Sequence, residues 1–465
     1  MTRFKYVPAL VLSLFMMASV SGAADILVDD FTDALASHQK GWRAGNTFLT
    51  ADVGGGSLVL ANTSDMFATE YHNVFAAPKP STFTISYVVK SVTPQYGNSQ
   101  PGLMFCRSEG LSGYQLIRYD ANHIMVFKYV GGSAVDIFSA RSAFLKPTDN
   151  KYTVSKQGSE FHIFVNDVYA GKFTDTQYNS GDVAFLMLPG LSATIGDFRM
   201  TDQFTNGTRS AFFDNFESGD LREWQYMTSG SSAPDPTTMV TTGGGLMKVN
   251  TPASGAVWAF VNVEPGSEFI ASVEVRHTGG GSGSAYGMFL LGAGQGQEVN
   301  FAISGDRGYA AWSSGAPTFL PPHNDIFGST VIGGQTYADK IEIRRVAGAT
   351  TYEFYANNVR LNITLPVAGF EITGVGLFVN TGLNLEFDNF LVSKDGTMSV
   401  RDRPTISRKP AALVREPGNV FYDLRGRKRY STAVMPGRLP GRGAMAAGVY
   451  VNENGRDVRV KKDRR

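Results

Sequence analysis

Four related short strings in this 465-residue chain each place an acidic residue one or two positions before a phenylalanine. The strings are VDDF, IGDF and two copies of FDNF, and the carboxylates of interest are Asp30, Asp197, Asp214 and Asp388. Carboxylates and loop carbonyls together supply the roughly six to eight oxygens that Ca²⁺ prefers, so these residues predict structural calcium sites. The alternative is that each side chain accepts hydrogen bonds from backbone donors at a strand end or turn.

Aromatic side chains beside polar and charged groups suggest a second chemistry, the binding of carbohydrate. In the first half of the chain, the string CRSEGLSGYQLIRYD places Arg107, Tyr114 and Arg118 on adjoining predicted strands. Tyr114, Leu116 and Arg118 share one face by alternation. A charged Arg118 would mark that face as the open, concave side of a sheet. The alternative is that all of them are ordinary half-buried strand residues.

Short strands joined by tight turns must position these side chains. The chain contains 52 Gly and 32 Phe. Apolar and polar residues alternate in STFTISYVVKS and SEFIASVEVRH, a pattern typical of half-buried β-strands. HIFVNDVYAGKF and YEFYANNVRLNI each predict a hairpin, because Asn-Asp and Asn-Asn favour a tight turn between two strands. These patterns predict an all-β protein.

The order of these strings repeats along the chain. Phe31 and Phe216 are 185 residues apart, the strings GLMF and GMFL are also 185 apart, and the two alternating strands are 186 apart. Self-similarity at a fixed period indicates internal duplication. We therefore predict two copies of one domain, residues 24–204 and 209–395, joined by a short linker that permits limited relative motion.

The duplication gives the acidic-Phe motifs a structural role. Each copy opens and closes with one of them, and antiparallel pairing of the two strands would bring Asp30 near Asp197 and Asp214 near Asp388. The phenylalanines of the four motifs would then point into the core. They are Phe31, Phe198, Phe216 and Phe390.

The four tryptophans fall into two classes. Trp42 and Trp224 follow the opening phenylalanine at matched positions of the two copies, which favours a packing role. Trp258 and Trp312 have no counterpart in the first copy. They are therefore better candidates for contact with a ligand, together with Tyr286 in the same region.

Longer strings extend these patterns into a family resemblance. FFDNFESGDLREWQ, YEFYANNVRL and GVGLFVNTGLNLEFDNFLV in the second copy, with GYQLIRYDANHIMVFKYVGG and SGDVAFLM in the first, resemble the concanavalin A-like jelly-roll superfamily. Within it they are most similar to the laminin-G-like and 3-keto-disaccharide hydrolase-like group. The resemblance implies two tandem antiparallel jelly-roll sandwiches. Such sandwiches serve as lectins, adhesion modules and hydrolases alike, so the fold alone assigns no activity.

Three functions follow from this resemblance. The leading hypothesis is a pair of non-catalytic carbohydrate-binding or adhesion modules, since two weak sites on one chain gain avidity. The second is a glycoside hydrolase or 3-keto-disaccharide hydrolase-like enzyme, and the third is a structural cell-envelope protein. The Glu-x-Asp-x-x-Glu string of laminarinase-type relatives does not occur, and Glu274 and Glu342 have no acidic partner at the spacing that hydrolysis needs. No catalytic residue is predicted.

The start of the chain predicts export. Residues 1–23 combine a basic start, an apolar stretch and small residues, as a secretory signal does. No later stretch is long and apolar enough to span a membrane. The one cysteine, Cys106, can form no internal disulfide and is expected to be a buried strand residue.

The end of the chain is basic, with 17 Lys and Arg against 6 Asp and Glu from Arg401 onward. A Pro-punctuated linker over residues 396–418 precedes a small module over residues 419–465. Its predicted strands are Val420–Leu424, Gly448–Asn452 and Asp457–Lys461. The strings VFYDLRGR, GVYV and KK resemble, in order, the C-terminal sorting domain of type IX secretion in Bacteroidetes and Fibrobacteres. The resemblance implies secretion machinery as a partner and attachment at the outer surface, and export argues against nucleic acid as a partner.

Overall fold

The computed structural model describes most of the body of the chain and four short strands of its tail. The described residues are 24–44, 46–65, 68–73, 80–93, 101–229, 235–280, 284–293, 297–304, 309–313, 331–332, 335–336, 338–367, 369–394, 420–422, 428–430, 449–451 and 457–459. The predicted signal and the predicted linker before the tail lie outside these residues.

In its described residues the first sandwich has fifteen antiparallel strands and one short helix. Its elements are β1 (Asp25–Asp29), α1 (Ala34–Gln39), β2 (Trp42–Ala44), β3 (Leu49–Gly54), β4 (Ser57–Asn62), β5 (Thr69–Asn73), β6 (Thr82–Thr93), β7 (Gly102–Ser108), β8 (Ser112–Asp120), β9 (His123–Val130), β10 (Ser133–Arg141), β11 (Asn150–Gln157), β12 (Glu160–Val165), β13 (Val168–Thr174), β14 (Asp182–Met187) and β15 (Ser192–Thr201). Sheet A has the order β13-β12-β11-β6-β15-β4-β3, with β1 beside β15. Sheet B has the order β10-β9-β8-β7-β14-β5-β2.

The second sandwich repeats this plan. Its elements are β16 (Phe212–Asp214), β17 (Trp224–Thr228), α2 (Pro236–Met239), β18 (Val240–Thr242), β19 (Met247–Asn250), β20 (Val257–Asn262), β21 (Phe269–Gly280), β22 (Ala285–Gly292), β23 (Glu298–Ser304), β24 (Tyr309–Trp312), β25 (Val331–Ile332), β26 (Gln335–Thr336), β27 (Asp339–Arg345), β28 (Thr351–Ala356), β29 (Val359–Pro366), β30 (Ile372–Val379) and β31 (Leu383–Ser393). Sheet C has the order β18-β19-β31-β21-β27-β28-β29, with β16 beside β31, and sheet D has the order β17-β20-β30-β22-β23-β24. The predicted all-β class with tandem antiparallel sandwiches is confirmed.

The two predicted hairpins form as their sequences require. Asn166 and Asp167 connect β12 to β13 with φ values of 52° and 65°, and Asn357 and Asn358 connect β28 to β29 with 49° and 68°. Two successive residues with positive φ are the mark of the type I′ turn, whose twist matches that of the flanking strands. Asn and Asp tolerate this conformation better than other residues with side chains.

Each sandwich has its own core, built around one matched tryptophan. Trp42 packs within about 6 Å, centroid to centroid, of the rings of Phe31, Tyr71, Phe185 and Phe198. In the second sandwich the ring of Trp224 packs against Phe212, Phe216 and Phe390 in the same way. The four motif phenylalanines are all at most 2% exposed, so their predicted packing role, and that of the two tryptophans, is confirmed.

The opening acidic-Phe motif stabilises an unusual backbone conformation. Phe31 and Phe216 both have φ of 55°, which non-glycine residues rarely adopt. The phenylalanine N–H donates to the carboxylate two residues earlier, at 3.0 Å to Asp29 and at 2.7 Å to Asp214. This Asx-type turn holds each ring toward the core. The equivalent of Asp214 is therefore Asp29 rather than Asp30.

The closing motif is a β-bulge. Asp197 and Asn389 have φ of 50° and 51°, and in both places the register of the neighbouring strand shifts. Asp or Asn before the phenylalanine suits the left-handed conformation that the bulge imposes. The opening and closing strands pair antiparallel as predicted, with Asp29 opposite Phe198 and Asp214 opposite Phe390.

Hydrogen bonds and ion pairs connect the two sandwiches, which belong to one compact unit that ends at Pro404. The Asn122 side chain donates to both carboxylate oxygens of Asp235 at 3.0 and 2.8 Å. The Lys172 ammonium lies 2.7 Å from Glu264. Contacts of this kind favour a fixed arrangement of the sandwiches over independent motion.

The remaining expectations concern the tail, membrane spans and the cysteine. The tail contains β32 (Val420–Tyr422), β33 (Lys428–Tyr430), β34 (Val449–Val451) and β35 (Asp457–Arg459), paired as two antiparallel hairpins. The three predicted tail strands are present, and β33 is an addition. Within the described part of the chain, no helix has the length and apolar character to cross a membrane. Cys106 is buried as expected, and burial raises its pKa to about 12.

Candidate functional site

The carboxylates predicted to bind calcium in the first sandwich lie at its surface. Asp30 accepts hydrogen bonds from the hydroxyl and the backbone N–H of Thr32 at 2.8 and 3.2 Å, and these bonds lower its pKa. Asp197 is exposed at the bulge of β15. Asp30 thus has the turn-forming role that was the alternative to calcium.

The corresponding carboxylates of the second sandwich are partly buried. Asp214 accepts the indole N–H of Trp224 at 2.8 Å in addition to its backbone bond, and burial raises its pKa. Burial and then the nearby Glu274 and Glu217 carboxylates raise the pKa of Asp388. The oxygens of Asp214 are therefore committed to protein donors, whereas Asp388 has a carboxylate neighbourhood that suits a cation. Among the described residues, no three Asp, Glu, His or Cys side chains are grouped as metal ligands.

The face that carries Tyr114, Leu116 and Arg118 is not an open face, so that interpretation is wrong. Tyr114 and Leu116 are fully buried between sheets A and B, because this side of β8 is the one that closes the core. The Tyr114 hydroxyl donates to Asp175 at 2.7 Å. Tyr286, in the second sandwich, is also part of the core and stacks on His277. Neither tyrosine presents a surface to a ligand.

Arg118 lies where this inner face reaches the edge of the sandwich. Its guanidinium donates to the carbonyl oxygens of Asp120, Ala121 and Lys146 at 3.0, 2.7 and 2.9 Å. It lines a cavity of about 370 Å³ whose walls include the stacked rings of Tyr87 and Tyr152. Arg118 thus organises backbone carbonyls at the end of the sheet rather than a concave binding face.

Trp258 and Trp312 lie on the outer face of sheet D, the face turned away from the core. They pack with Phe260, Phe289 and Phe378 in a hydrophobic cluster separate from the core. Trp258 is directly opposite Phe378 in the register of β20 and β30, and the ring of Trp312 reaches Phe378 at 6.0 Å between centroids. Trp258, Phe378 and Trp312 thus adjoin one another obliquely across the sheet, since the register places Trp312 two residues beyond the row of Trp258 and Phe378. We call these three residues the aromatic row, and both tryptophans are partly exposed.

A buried amide lies beside the aromatic row. Asn300 is opposite Phe289 on one side and opposite Trp312 on the other. It is 2% exposed, and its Nδ2 finds no hydrogen-bond partner among the described residues. A buried amide N–H without an acceptor costs free energy, about 1–3 kcal/mol, that a bound acceptor would recover. Asn300 lies between Tyr286 and Trp312, in the region of the second copy that the sequence pattern indicates, and it follows Gln115 by the 185 residues of the repeat.

The outer face of sheet B presents a different surface at the equivalent positions. Strand register matches Gln115 to Asn300, since each lies opposite the central residue of the preceding strand, Met104 or Phe289. Arg107 also lies on this face. Its guanidinium binds both carboxylate oxygens of Glu70, with the closest atoms 2.5 Å apart. The predicted site residue Arg107 is therefore on an outer face, whereas Tyr114 on the adjoining strand is not.

No family model and no curated protein matches the chain. Among solved structures, the chain is similar to the carbohydrate-binding module CBM66 from Bacillus subtilis, with 17% identity over 35% of this chain and 96% of that one and a TM-score of 0.29. It is similar to the cellulose-induced protein Cip1, with 18% identity over 39% and 97% and a TM-score of 0.30. A mutant GH43 protein, BlXynB from Bacillus licheniformis, has 10% identity over 76% and 98% and a TM-score of 0.31.

Proposed function

We propose that this chain is a non-catalytic carbohydrate-binding protein and that its second sandwich binds glycan on the aromatic row. The observation that carries the proposal is the outward-facing row of Trp258, Phe378 and Trp312 beside the buried Asn300 amide. Aromatic rings offer a large apolar surface to the C–H faces of sugar rings, at little cost in side-chain entropy. The unpartnered amide N–H supplies a directional hydrogen bond to a sugar oxygen.

The row is suited to an extended ligand. Its two partly exposed tryptophans stand on β20 and β24, and the Phe378 ring adjoins both, opposite Trp258 in the register and 6.0 Å from the Trp312 ring. A single sugar ring cannot cover all three aromatic rings. The geometry therefore favours a polysaccharide or a long oligosaccharide over a monosaccharide.

The hydrolase alternative gains no support from the outer face of the first sandwich. Glu70 is a carboxylate on this face, but both of its oxygens are bound by Arg107. A general acid must present a carboxyl oxygen to the leaving group, and both oxygens of Glu70 are already held by the Arg107 guanidinium. Binding without catalysis is the function that we propose.

Export and surface attachment belong to the same proposal. The signal over residues 1–23 would direct the chain out of the cytoplasm, and the tail over residues 419–465 would engage type IX secretion machinery. A protein displayed at the surface would use two sandwiches on one chain to gain avidity for a polymer. Structural cell-envelope function without a glycan ligand is the alternative.

Retention on insoluble polysaccharides tests the binding function. The mature full chain should be retained on at least one of cellulose, xylan, mannan or a β-1,3-glucan, and should release no soluble sugar from it. Passage through all of these polymers unretained would contradict the proposal. Release of reducing ends during the same incubation would contradict the non-catalytic part alone.

Calcium binding also remains a proposal, and we place it at Asp388 rather than at Asp214. Asp388 lies opposite Glu274 across β31 and β21, so two carboxylates face one another. Like charges directly opposite in a sheet destabilise it, and a bound cation would relieve their repulsion.

The substitution Asp388→Asn tests this site through stability. Burial and the two glutamates raise the pKa of Asp388 above its usual 3.8 in the folded chain, so the ionised carboxylate opposes folding at neutral pH. In calcium-free buffer at pH 7 the variant should have the higher Tm. The difference in Tm should shrink as the pH falls through the raised pKa of folded Asp388 toward 3.8. Residue 388 then becomes uncharged in the wild type, as it always is in the variant.

Calcium should reverse that order. Added CaCl₂ should raise the Tm of the wild-type chain and leave that of Asp388→Asn unchanged. Asp30→Asn, at an exposed motif carboxylate, is the matched control and should respond to CaCl₂ as the wild type does. An equal response of the wild type and Asp388→Asn would show that Asp388 binds no calcium.

A further inference from the structure

The outer faces of sheets B and D have the same register and opposite chemistry. Where Trp258 lies opposite Phe378 in the second sandwich, Glu70 lies opposite Leu186 in the first. Where Trp312 lies opposite Asn300, Phe127 lies opposite Gln115. The buried central amide is thus present in both sandwiches, but an ion pair takes the place of the aromatic row.

The amide of Gln115 is as incompletely bonded as that of Asn300. Gln115 is 2% exposed and its Oε1 accepts the Tyr129 hydroxyl at 2.9 Å, while its Nε2 is without a partner in the described part of the chain. Tyr129 can donate or accept, so one polar atom of the amide remains unsatisfied whichever way the group is turned. Two buried amides unsatisfied at matched positions are a cost that folding alone does not explain, and a ligand atom would satisfy each.

Other groups on the face of sheet B complete a polar surface around Gln115. Arg107 and Glu70 stand on β7 and β5, the two neighbours of β14, so their bonded side chains bridge across that strand. Beneath them Met104, Ala184 and Leu186 form a buried apolar floor. A guanidinium fixed in one plane by a carboxylate offers a flat surface and additional donors to a ligand.

A third polar group lies at the next position along the face. His72 is paired with Ala184 in the same register row as Gln115 and Met104. Its Nδ1 is buried and is another atom for which the described residues offer no partner. Planar amide, imidazole and guanidinium groups that point at one surface match the alternating donors and acceptors of sugar hydroxyls.

Charge around Arg107 restricts the class of ligand. The hydrogen bonds that Arg107 donates to Glu70, followed by the charges of Glu70, Asp182 and Glu109, raise the pKa of Arg107. Three carboxylates therefore surround one guanidinium, and the face carries a local excess of negative charge. An acidic saccharide would be repelled, whereas a neutral saccharide would be bound through its hydroxyl groups.

We infer that the first sandwich has a second binding site, formed by Gln115, Arg107, Glu70, His72 and Tyr129, which takes a neutral saccharide by hydrogen bonding and differs in ligand from the aromatic row. The class of ligand rests on the proposed carbohydrate-binding function, but the residues are separate from the aromatic row. The two sandwiches would then bind two different neutral glycans on one chain.

Two variants of the full chain test this inference. Gln115→Leu keeps the side-chain volume and removes the amide, and Arg107→Gln removes the bridge to Glu70. Each should lower the affinity for one neutral polymer, among cellulose, xylan, mannan and a β-1,3-glucan, at least tenfold. Arg141→Gln is the matched control, because Arg141 pairs with Asp120 at the opposite end of β8 and should not affect binding.

The double variant Trp258→Ala/Trp312→Ala separates this inference from the proposed function. It should lose one polymer and keep the polymer whose binding depends on Gln115, and every variant compared should still unfold cooperatively above the temperature of the binding assay. The inference is overturned if Gln115→Leu and Arg107→Gln bind every polymer as the wild type does. It is also overturned if the double variant loses all polymers or if the wild type binds none. Polygalacturonate serves as the acidic polymer in the same assay, and binding of it that depends on Gln115 would overturn the inference as well.

Discussion

Replacement of both Trp258 and Trp312 by alanine is expected to weaken binding to the retained polysaccharide about 100-fold or more. Each ring contributes part of a continuous apolar surface, and truncation of a buried aromatic anchor typically costs about 2 kcal/mol or more of binding free energy. A loss of 1.4 kcal/mol corresponds to roughly a tenfold change in Kd. Single variants should each weaken binding about 30-fold, measured by depletion assays over a range of polymer concentrations.

Two controls make this result specific. Met227→Ala removes an exposed apolar side chain from β17, the strand at the edge of sheet D. Met227 lies opposite Trp258 in the register, and its loss should change the affinity for the polymer little. Phe127→Ala alters the position in the first sandwich that matches Trp312 and should leave the same polymer bound. Unchanged affinity of the double tryptophan variant would show that the ligand lies elsewhere.

The second large effect concerns stability, and it is expected from Trp224→Ala. Trp224 is fully buried, packs on three phenylalanines and donates its indole N–H to Asp214. Large-to-small substitutions of a buried tryptophan cost about 3–5 kcal/mol because they leave a cavity. Removal of the donor adds a penalty, since Asp214 would keep a partly buried oxygen without its partner. The free energy of unfolding is measured with urea.

The first sandwich provides the matched comparison. Trp42 fills the same place, but its indole N–H and the Oδ2 of Asp29 both lack partners among the described residues. Trp224→Phe should therefore destabilise the chain by about 1–3 kcal/mol more than Trp42→Phe, because only the former breaks a hydrogen bond. Equal effects of the two phenylalanine variants would mean that the bond to Asp214 contributes no net stability.

Local sequence signals predicted the strands well because each rests on a short-range rule. Alternation placed Phe83, Ile85 and Tyr87 on one buried face of β6, as the structure has them. The Asn-containing turns predicted both hairpins, since two positive φ values select Asn and Asp. The repeat of about 185 residues predicted two sandwiches, because strand order is kept when a domain is duplicated.

The candidate sites were harder to predict because alternation does not say which side of a strand is the outside. Tyr114 and Arg118 do share a face, but that face closes the core. Arg118 is partly exposed because it lies at the edge of the face. The outward residues of the same strand, such as Gln115, look unremarkable in the sequence. Their significance comes from the neighbouring strands β7 and β9, which supply Met104 and Phe127.

The acidic-Phe motifs show a second limit. Both the metal hypothesis and the turn hypothesis fit the sequence, and only the φ values of Phe31 and Phe216 show what Asp29 and Asp214 do for the backbone. Alignment of the two copies on their opening phenylalanines pairs Asp29, and not Asp30, with Asp214. In contrast, only the packed structure shows that the amide nitrogens of Gln115 and Asn300 have no partner within the described residues.

The central claim, that the aromatic row of the second sandwich binds glycan, is tested most directly by a crystal structure of the protein with an oligosaccharide from the retained polymer. The account predicts sugar rings stacked on Trp258 or Trp312, with a sugar oxygen within hydrogen-bond distance of the Asn300 side chain. A ligand bound only at the cavity beside Arg118, or at loops away from sheet D, would contradict it.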